Sequence, residues 1–198
     1  MFRETELKAL VDDLAERRRR VEAAGGRLVF DGRLEDRRYD MPDRSLALED
    51  HVLRVRRYVS EDGVRAELGW KGPTAHVDGL KQREELAAAT SDPDSLERIL
   101  EQLGYVVTRG IDRRIAQYEL HGVIVRFEEY PKMDTLVEVE GERDGIESAI
   151  AAIGLPREAF TVDRLPEFVA RFEQRTGELA SLCDDELAGK VRYAVEDA

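Results

Sequence analysis

Apolar and polar residues alternate with period two over much of this chain, broken by shorter stretches with helical spacing. The opening Phe2-Arg3-Glu4-Thr5-Glu6-Leu7-Lys8 alternates as a strand should, because successive strand side chains point to opposite faces. Val11, Leu14 and Val21 then recur on one helical face to about Ala24, and Gly25-Gly26 ends that helix. Residues 27–40 read as a strand that stops at Met41-Pro42-Asp43. His51 to Tyr58 and Arg65 to Lys71 are two more, parted by a turn at Glu61-Asp62-Gly63. Leu80 to Ala87 alternates again.

In the second half, Asp92-Pro93-Asp94-Ser95 starts a helix with Leu96, Ile99, Leu100 and Leu103 as its apolar stripe and Gly104 as its stop. Four strand-like segments follow at 105–109, 111–120, 122–129 and 135–140. Gly145 to Ile153 and Leu165 to about Arg175 are helical, and the tail 178–198 is helix-like with weak patterning. Strands dominate the middle and helices punctuate it, so the fold class is α+β, built on one large antiparallel sheet.

The charged strand faces are sorted by sign. Glu4, Glu6 and Lys8 share a face, as do Glu138 and Glu140 near the end. Arg54 pairs with Arg56, Arg65 lies with Glu67 and Lys71, and Arg126 lies with Glu128. A solvated face of a half-buried sheet normally mixes signs, whereas carboxylates gather here on the first and last strands and cations between them. Rolling the sheet turns these faces inward, and such an interior is favourable only when wet and filled by a polyanion with its metal ions.

Composition narrows the partners. A net charge of −12 and a pI near 4.9 leave no broad basic field for nucleic acid or an acidic membrane, though a small anion responds only to the charges lining its pocket. No run of about 18 apolar residues suggests a membrane span. The opening residues carry no secretory stretch, and the single Cys183 fits a reducing compartment, so a cytoplasmic protein is expected. His51, His76 and His121 have no ligand spacing, and Arg17-Arg18-Arg19-Arg20 reads as a solvated helix face. No G-x-x-x-x-G-K-[ST] occurs, so a triphosphate would not be held by a P-loop.

Glu4-Thr5-Glu6-Leu7-Lys8 resembles the N-terminal E-x-E-x-K of the CYTH family, the triphosphate tunnel metalloenzymes. Further matches follow in order: Asp36 with Tyr39-Asp40-Met41-Pro42, Leu53-Arg54-Val55-Arg56, Trp70-Lys71-Gly72-Pro73, Arg83-Glu84-Glu85, Glu128-Glu129-Tyr130-Pro131 and Glu138-Val139-Glu140-Gly141. The likeness spans residues 1–155, and its wording is similar to the class IV adenylate cyclase branch. It implies a closed eight-stranded antiparallel β-barrel, a tunnel with flanking helices, over 1–155, with 156–198 as a helical extension packed on the same domain.

By the same resemblance Glu4, Glu6, Glu128, Glu138 and Glu140 would hold Mg²⁺ or Mn²⁺, hard cations that take oxygen ligands. Lys8, Arg54, Arg56, Lys71, Arg83, Arg113 and Arg126 would grip the phosphates, with Lys8 and Glu6 as the catalytic pair. The expected activity is hydrolysis of tripolyphosphate or of a nucleoside or thiamine triphosphate by a monomer or homodimer. The alternatives are cyclisation of ATP to cyclic AMP and pyrophosphate, and binding without turnover. Two positions depart from the pattern: Ile115 stands where a second basic residue of the Arg113 strand would be, and position 87 is alanine where an acid would follow Arg83.

Overall fold

The computed structural model describes residues 5–77, 80–82 and 84–194. In chain order its elements are β1 (Thr5–Leu10), α1 (Leu14–Ala23), β2 (Arg27–Asp40), α2 (Ser45–Leu48), β3 (Val52–Ser60), β4 (Gly63–Lys71), β5 (Ala75–Val77), β6 (Leu80–Gln82) and β7 (Glu85–Thr90). There follow α3 (Pro93–Gln102), β8 (Val106–Leu120), β9 (Val123–Glu129), β10 (Leu136–Gly141), α4 (Arg143–Ile153), a 3₁₀ turn (Arg157–Ala159), α5 (Leu165–Thr176) and α6 (Asp184–Leu187).

Eight strands form one antiparallel sheet in the order β1-β10-β9-β8-β2-β3-β4-β7, and β5 with β6 makes a separate hairpin. The expected α+β class and strand number hold. Closure is corrected: β1 and β7 are the two edges, and no pairing joins them among the described residues. The outward edge of β1 is already occupied at one point. Lys8 exchanges both backbone hydrogen bonds with Thr161, each 2.9 Å, so the segment before α5 takes the place a closing strand would need.

Local chemistry fixes the helices and turns. Asp13 caps α1 by accepting the Glu16 N–H, and Asp92 caps α3 by accepting that of Ser95 with Pro93 at the first turn. His121 and Gly122 both carry positive φ, 52° and 80°, which makes the tight two-residue hairpin joining β8 to β9. The main core lies under the outer face of β1, β10, β9 and β8, where Tyr118, Val125, Phe127, Val137 and Val139 meet Val21 of α1 and Ile146, Ile150 and Ile153 of α4. A smaller cluster of Tyr39 and Val55 packs beneath Leu100 of α3. The alternation of β9 and β10 thus sends valine and phenylalanine outward under helices and leaves Arg126, Glu128 and Glu138 for the opposite face.

Several boundaries differ from expectation. The segments 105–109 and 111–120 are one strand, β8. Gly110 does not break it; a side chain there would put its first carbon 3.2 Å from Cys183 Sγ, so glycine permits the tail to lie against the strand. The stretch from Leu80 to Ala87 is divided between β6 and β7. Among its described residues the tail holds only the four-residue α6, and it is anchored by buried polar contacts: Asp112 accepts from Arg37 (2.6 Å) and from the Asp184 N–H (3.0 Å), and its own N–H donates to Leu182 O. The arginine run is not simply solvated. Arg17 and Arg20 donate to the carbonyls of Gly154 and Ala152 at the end of α4, where a helix is negative, and Arg18 donates to Tyr118 Oη.

Candidate functional site

The inner face of the sheet is concave. Residues from seven of its eight strands, together with the 162–165 segment, line one cavity of about 490 Å³. Its wall presents seven cations and five carboxylates, an excess of positive charge within a chain whose net charge is −12. A larger and more open groove of about 960 Å³ lies at the other end of β2 and β3, but it gathers few of the sorted charges.

Most of the wall charges are arranged as ion pairs across neighbouring strands. On β1, Lys8 contacts Glu6 and sits 3.0 Å from Glu138, the residue directly opposite it on β10. Glu138 also accepts from Arg126 of β9 at 2.7 Å. Glu140 stands directly across from Glu6. Arg113 of β8 lies between Asp36 (3.3 Å) and Glu128 (3.1 Å), and Arg56 of β3 grips both oxygens of Asp36 at 2.7 and 3.2 Å. Tyr130 donates its hydroxyl to Glu128 at 2.6 Å. At the rim Lys71 pairs with Glu85 at 2.7 Å.

Arg54 is different. Its Nε is buried with no hydrogen-bond partner, and among the described residues no carboxylate pairs with its side chain. One buried Glu128 oxygen makes no formal hydrogen bond either, but it is paired with Arg113 Nε at 3.1 Å. Buried polar atoms are almost always satisfied, so the unpartnered Arg54 Nε on this wall points to an anionic occupant.

Burial and neighbouring charge set the protonation states. Burial pushes the Asp36 carboxyl up, but Arg113 and Arg56 outweigh it and hold it at about 2. Burial opposes ionisation of Glu138 too, and Arg126 and Lys8 again win, leaving it below the usual carboxylate range. Arg113 goes up despite desolvation because Glu128 and Asp36 favour its charge. Arg54 goes down, first by desolvation and then by repulsion from Arg56.

The Asp36 shift has a testable consequence. Its folded value lies below the unfolded 3.8, so its contribution is complete above about pH 4 and disappears as pH falls through about 2. Acid titration of wild type against Asp36→Asn is expected to show about 2 kcal/mol more pH-dependent stability over that window in the wild type. Parallel curves would contradict the assignment.

Of the expected site residues, Glu4 and Arg83 lie outside the described residues. Glu6, Lys8, Arg54, Arg56, Lys71, Arg113, Glu128 and Glu138 come together on the cavity wall, with Arg126 and Glu140 beside them on the same strands. Sequence reasoning missed Asp36, Arg38 and Tyr130 as wall residues, and it missed residues 162–165. Asp36 and Arg38 share a strand face at spacing two, but Glu35 and Arg37 on the other face are charged as well, so spacing alone did not mark which pair faces inward. Ile115, at the departing position, is fully buried opposite Glu128.

The CYTH domain family matches residues 3–153 of the sequence. The chain belongs to the CYTH family. No curated protein matches it. Among solved structures, a candidate adenylate cyclase of Vibrio parahaemolyticus superposes with a TM-score of 0.67 at 19% identity, over 86% of this chain and 98% of the other. A Hippeastrum protein first taken for an adenylyl cyclase, with a dominant triphosphatase activity, gives 0.59 at 18% over 92% and 99%. The PH1012 protein of Pyrococcus horikoshii gives 0.63 at 20% over 84% and 99%. At such identities these likenesses establish a CYTH fold for this chain.

CYTH proteins are metal-dependent as a family, and the donor set here suits a hard cation in kind: Glu6, Glu138, Glu128 and Glu140 are all oxygen donors on one face. The described residues form no ready group of three or more such side chains, because Glu138 and Glu128 are turned to cations. No helix among them is long and apolar enough to cross a membrane.

Proposed function

We propose that this CYTH chain is a metal-dependent enzyme that hydrolyses a small triphosphate: tripolyphosphate, or a nucleoside or thiamine triphosphate. The observation that carries the reading is the concave wall with excess cations, one of them, Arg54, having a buried Nε with no hydrogen-bond partner among the described residues. Arg54, Arg56, Arg113 and Lys71, with Arg83 and Arg126, hold the phosphate oxygens; the planar guanidinium fork matches two oxygens at once. Their fixed charge stabilises the negative charge that builds on the bridging oxygen as the terminal phosphoryl group leaves. Glu6, Glu138 and Glu140, with Glu4 and Glu128, hold Mg²⁺ or Mn²⁺. Bound there, the ion supplies charge neutralisation and an activated water. Lys8, held between Glu6 and Glu138, is placed to pass a proton, and Glu6 orients it.

The helical extension 156–198 belongs to the same unit as the tunnel domain 1–155, because residues 162–165 complete the cavity wall and Thr161 bridges β1. The working protein is a cytoplasmic monomer or homodimer that takes neither nucleic acid nor membrane.

The test is ³¹P NMR of the protein with Mg²⁺ or Mn²⁺ and either tripolyphosphate or ATP. Orthophosphate release is expected. Pyrophosphate appearing with cyclic AMP would replace hydrolysis by cyclisation, and an unchanged spectrum would leave a binding protein. Glu6→Ala and Glu140→Ala are each expected to abolish the metal-dependent part of turnover, and its survival in both would refute the ligand assignment.

A further inference from the structure

We infer that Leu34, Tyr58 and Ile115 form a floor beneath the charged wall, and that this floor makes the site select a phosphate chain with an unesterified terminus. The inference rests on the triphosphate reading above and adds to it three specificity-determining residues and the kind of chain end they admit.

Strand alternation places the three side chains. Asp36, Arg56 and Arg113 line the charged cavity, and Leu34, Tyr58 and Ile115 each lie two positions away on the same strand, hence on the same face. Leu34 stands directly across from Tyr58 on one side and from Arg113 on the other. Leu34 and Ile115 are each only 1% exposed, yet neither belongs to the apolar clusters that pack under the helices. They are buried inside the curve of the sheet. Two positions further on, Gly32 and Ser60 line the larger groove, which has no lining residue in common with the charged cavity. The floor separates the two spaces.

Neighbouring side chains hold the floor in place. Phe30 meets Tyr58 edge-on with ring centroids 5.6 Å apart, and the Arg65 guanidinium lies 3.9 Å from the Tyr58 ring centroid. Glycine at 32 lets the Phe30 ring fold back along β2, since a side chain there would put its first carbon 2.9 Å from Phe30 Cζ. On the β9 side, Arg126 Nε donates to Gln117 at 3.0 Å, one strand position beyond Ile115 on the same face. A cation at 115 would offer donors to one more phosphoryl group; isoleucine offers none, so on β8 the polar wall ends at Arg113. A free terminal phosphoryl group needs no room beyond its own oxygens and fits above such a floor. An ester on that terminus adds carbon that must displace close-packed side chains, which interiors resist even for one methylene. An organic group on the other end of the chain points away from the floor and meets no such resistance.

The floor is tested by isothermal titration of a β,γ-methylene nucleoside triphosphate and of its γ-methyl ester, each with Mg²⁺, into wild type and Ile115→Ala. The quantity read is the ratio of the two affinities within each protein. The charge lost on esterification, and any general loss of affinity in the variant, then cancel between proteins. Wild type is expected to bind the ester at least about tenfold more weakly than the free terminus, the scale of forcing an extra group against packed side chains. Ile115→Ala, which shortens the floor side chain, should reduce that ratio at least about threefold. Ile115→Val makes a smaller opening and should move the ratio the same way, which keeps the test valid if Ile115→Ala fails to fold. An ester bound by wild type as tightly as the free terminus, or the same ratio in every folded variant, would overturn the floor as a selector. Absence of binding of both compounds by wild type would overturn the triphosphate reading itself, and the selection with it.

Discussion

Replacing Arg113 by methionine is expected to cost the fold about 3–5 kcal/mol, the penalty for breaking a buried ion pair by removing one partner. Arg113 is buried between Asp36 and Glu128, and each of those carboxylates is almost wholly inaccessible. Asp36 keeps Arg56, but Glu128 is left with only the Tyr130 hydroxyl and an oxygen that already lacks a hydrogen bond. Urea denaturation checks the size of the loss. Adding Glu128→Gln to Arg113→Met should recover a substantial part, because it removes the uncompensated charge. A single variant within 1 kcal/mol of wild type, where most surface substitutions fall, would show that Arg113 is not the keystone of the wall.

The second large effect falls on turnover. Glu138→Gln is expected to lower kcat about 10²–10³-fold, the scale seen when one preorganised electrostatic group is lost from a reacting site. Glu138 lies where Lys8 and Arg126 converge and directly beside the Glu6/Glu140 pair. Glutamine preserves its shape and one acceptor but not its charge. If Glu138 serves a metal, the Mg²⁺ or Mn²⁺ concentration needed for half-maximal activity rises as well. If it serves only to hold Lys8 and Arg126, stability falls and the metal requirement stays as it was. Titrating metal against both proteins separates the two roles.

How much of this could be read in the sequence depended on how cleanly each strand alternates. In β9 and β10, Val125-Arg126-Phe127-Glu128 and Val137-Glu138-Val139-Glu140 separate apolar from charged with no exception, and the wall residues there were legible. In β2 the run Glu35-Asp36-Arg37-Arg38 is charged at every position. Inner Asp36 and Arg38 cannot be told there from outer Arg37 without a neighbour to fix the register. Gly110 was misread because a glycine that admits a side chain from elsewhere looks the same as one that ends a strand. The sheet edges were not legible at all. What lies beside β1 is decided by Thr161, more than 150 residues away, through backbone hydrogen bonds that leave no side-chain pattern. The tail contacts of Asp112 likewise join segments that no local spacing connects.

The most direct test of the central claim, that the inner wall is a polyanion site, is a crystal structure with a non-hydrolysable triphosphate analogue. The account requires the phosphate chain to lie in the concave cavity, with its oxygens within hydrogen-bond distance of Arg54, Arg56 and Arg113. An analogue bound on another surface, or a cavity left without it at saturating concentration, would contradict the account.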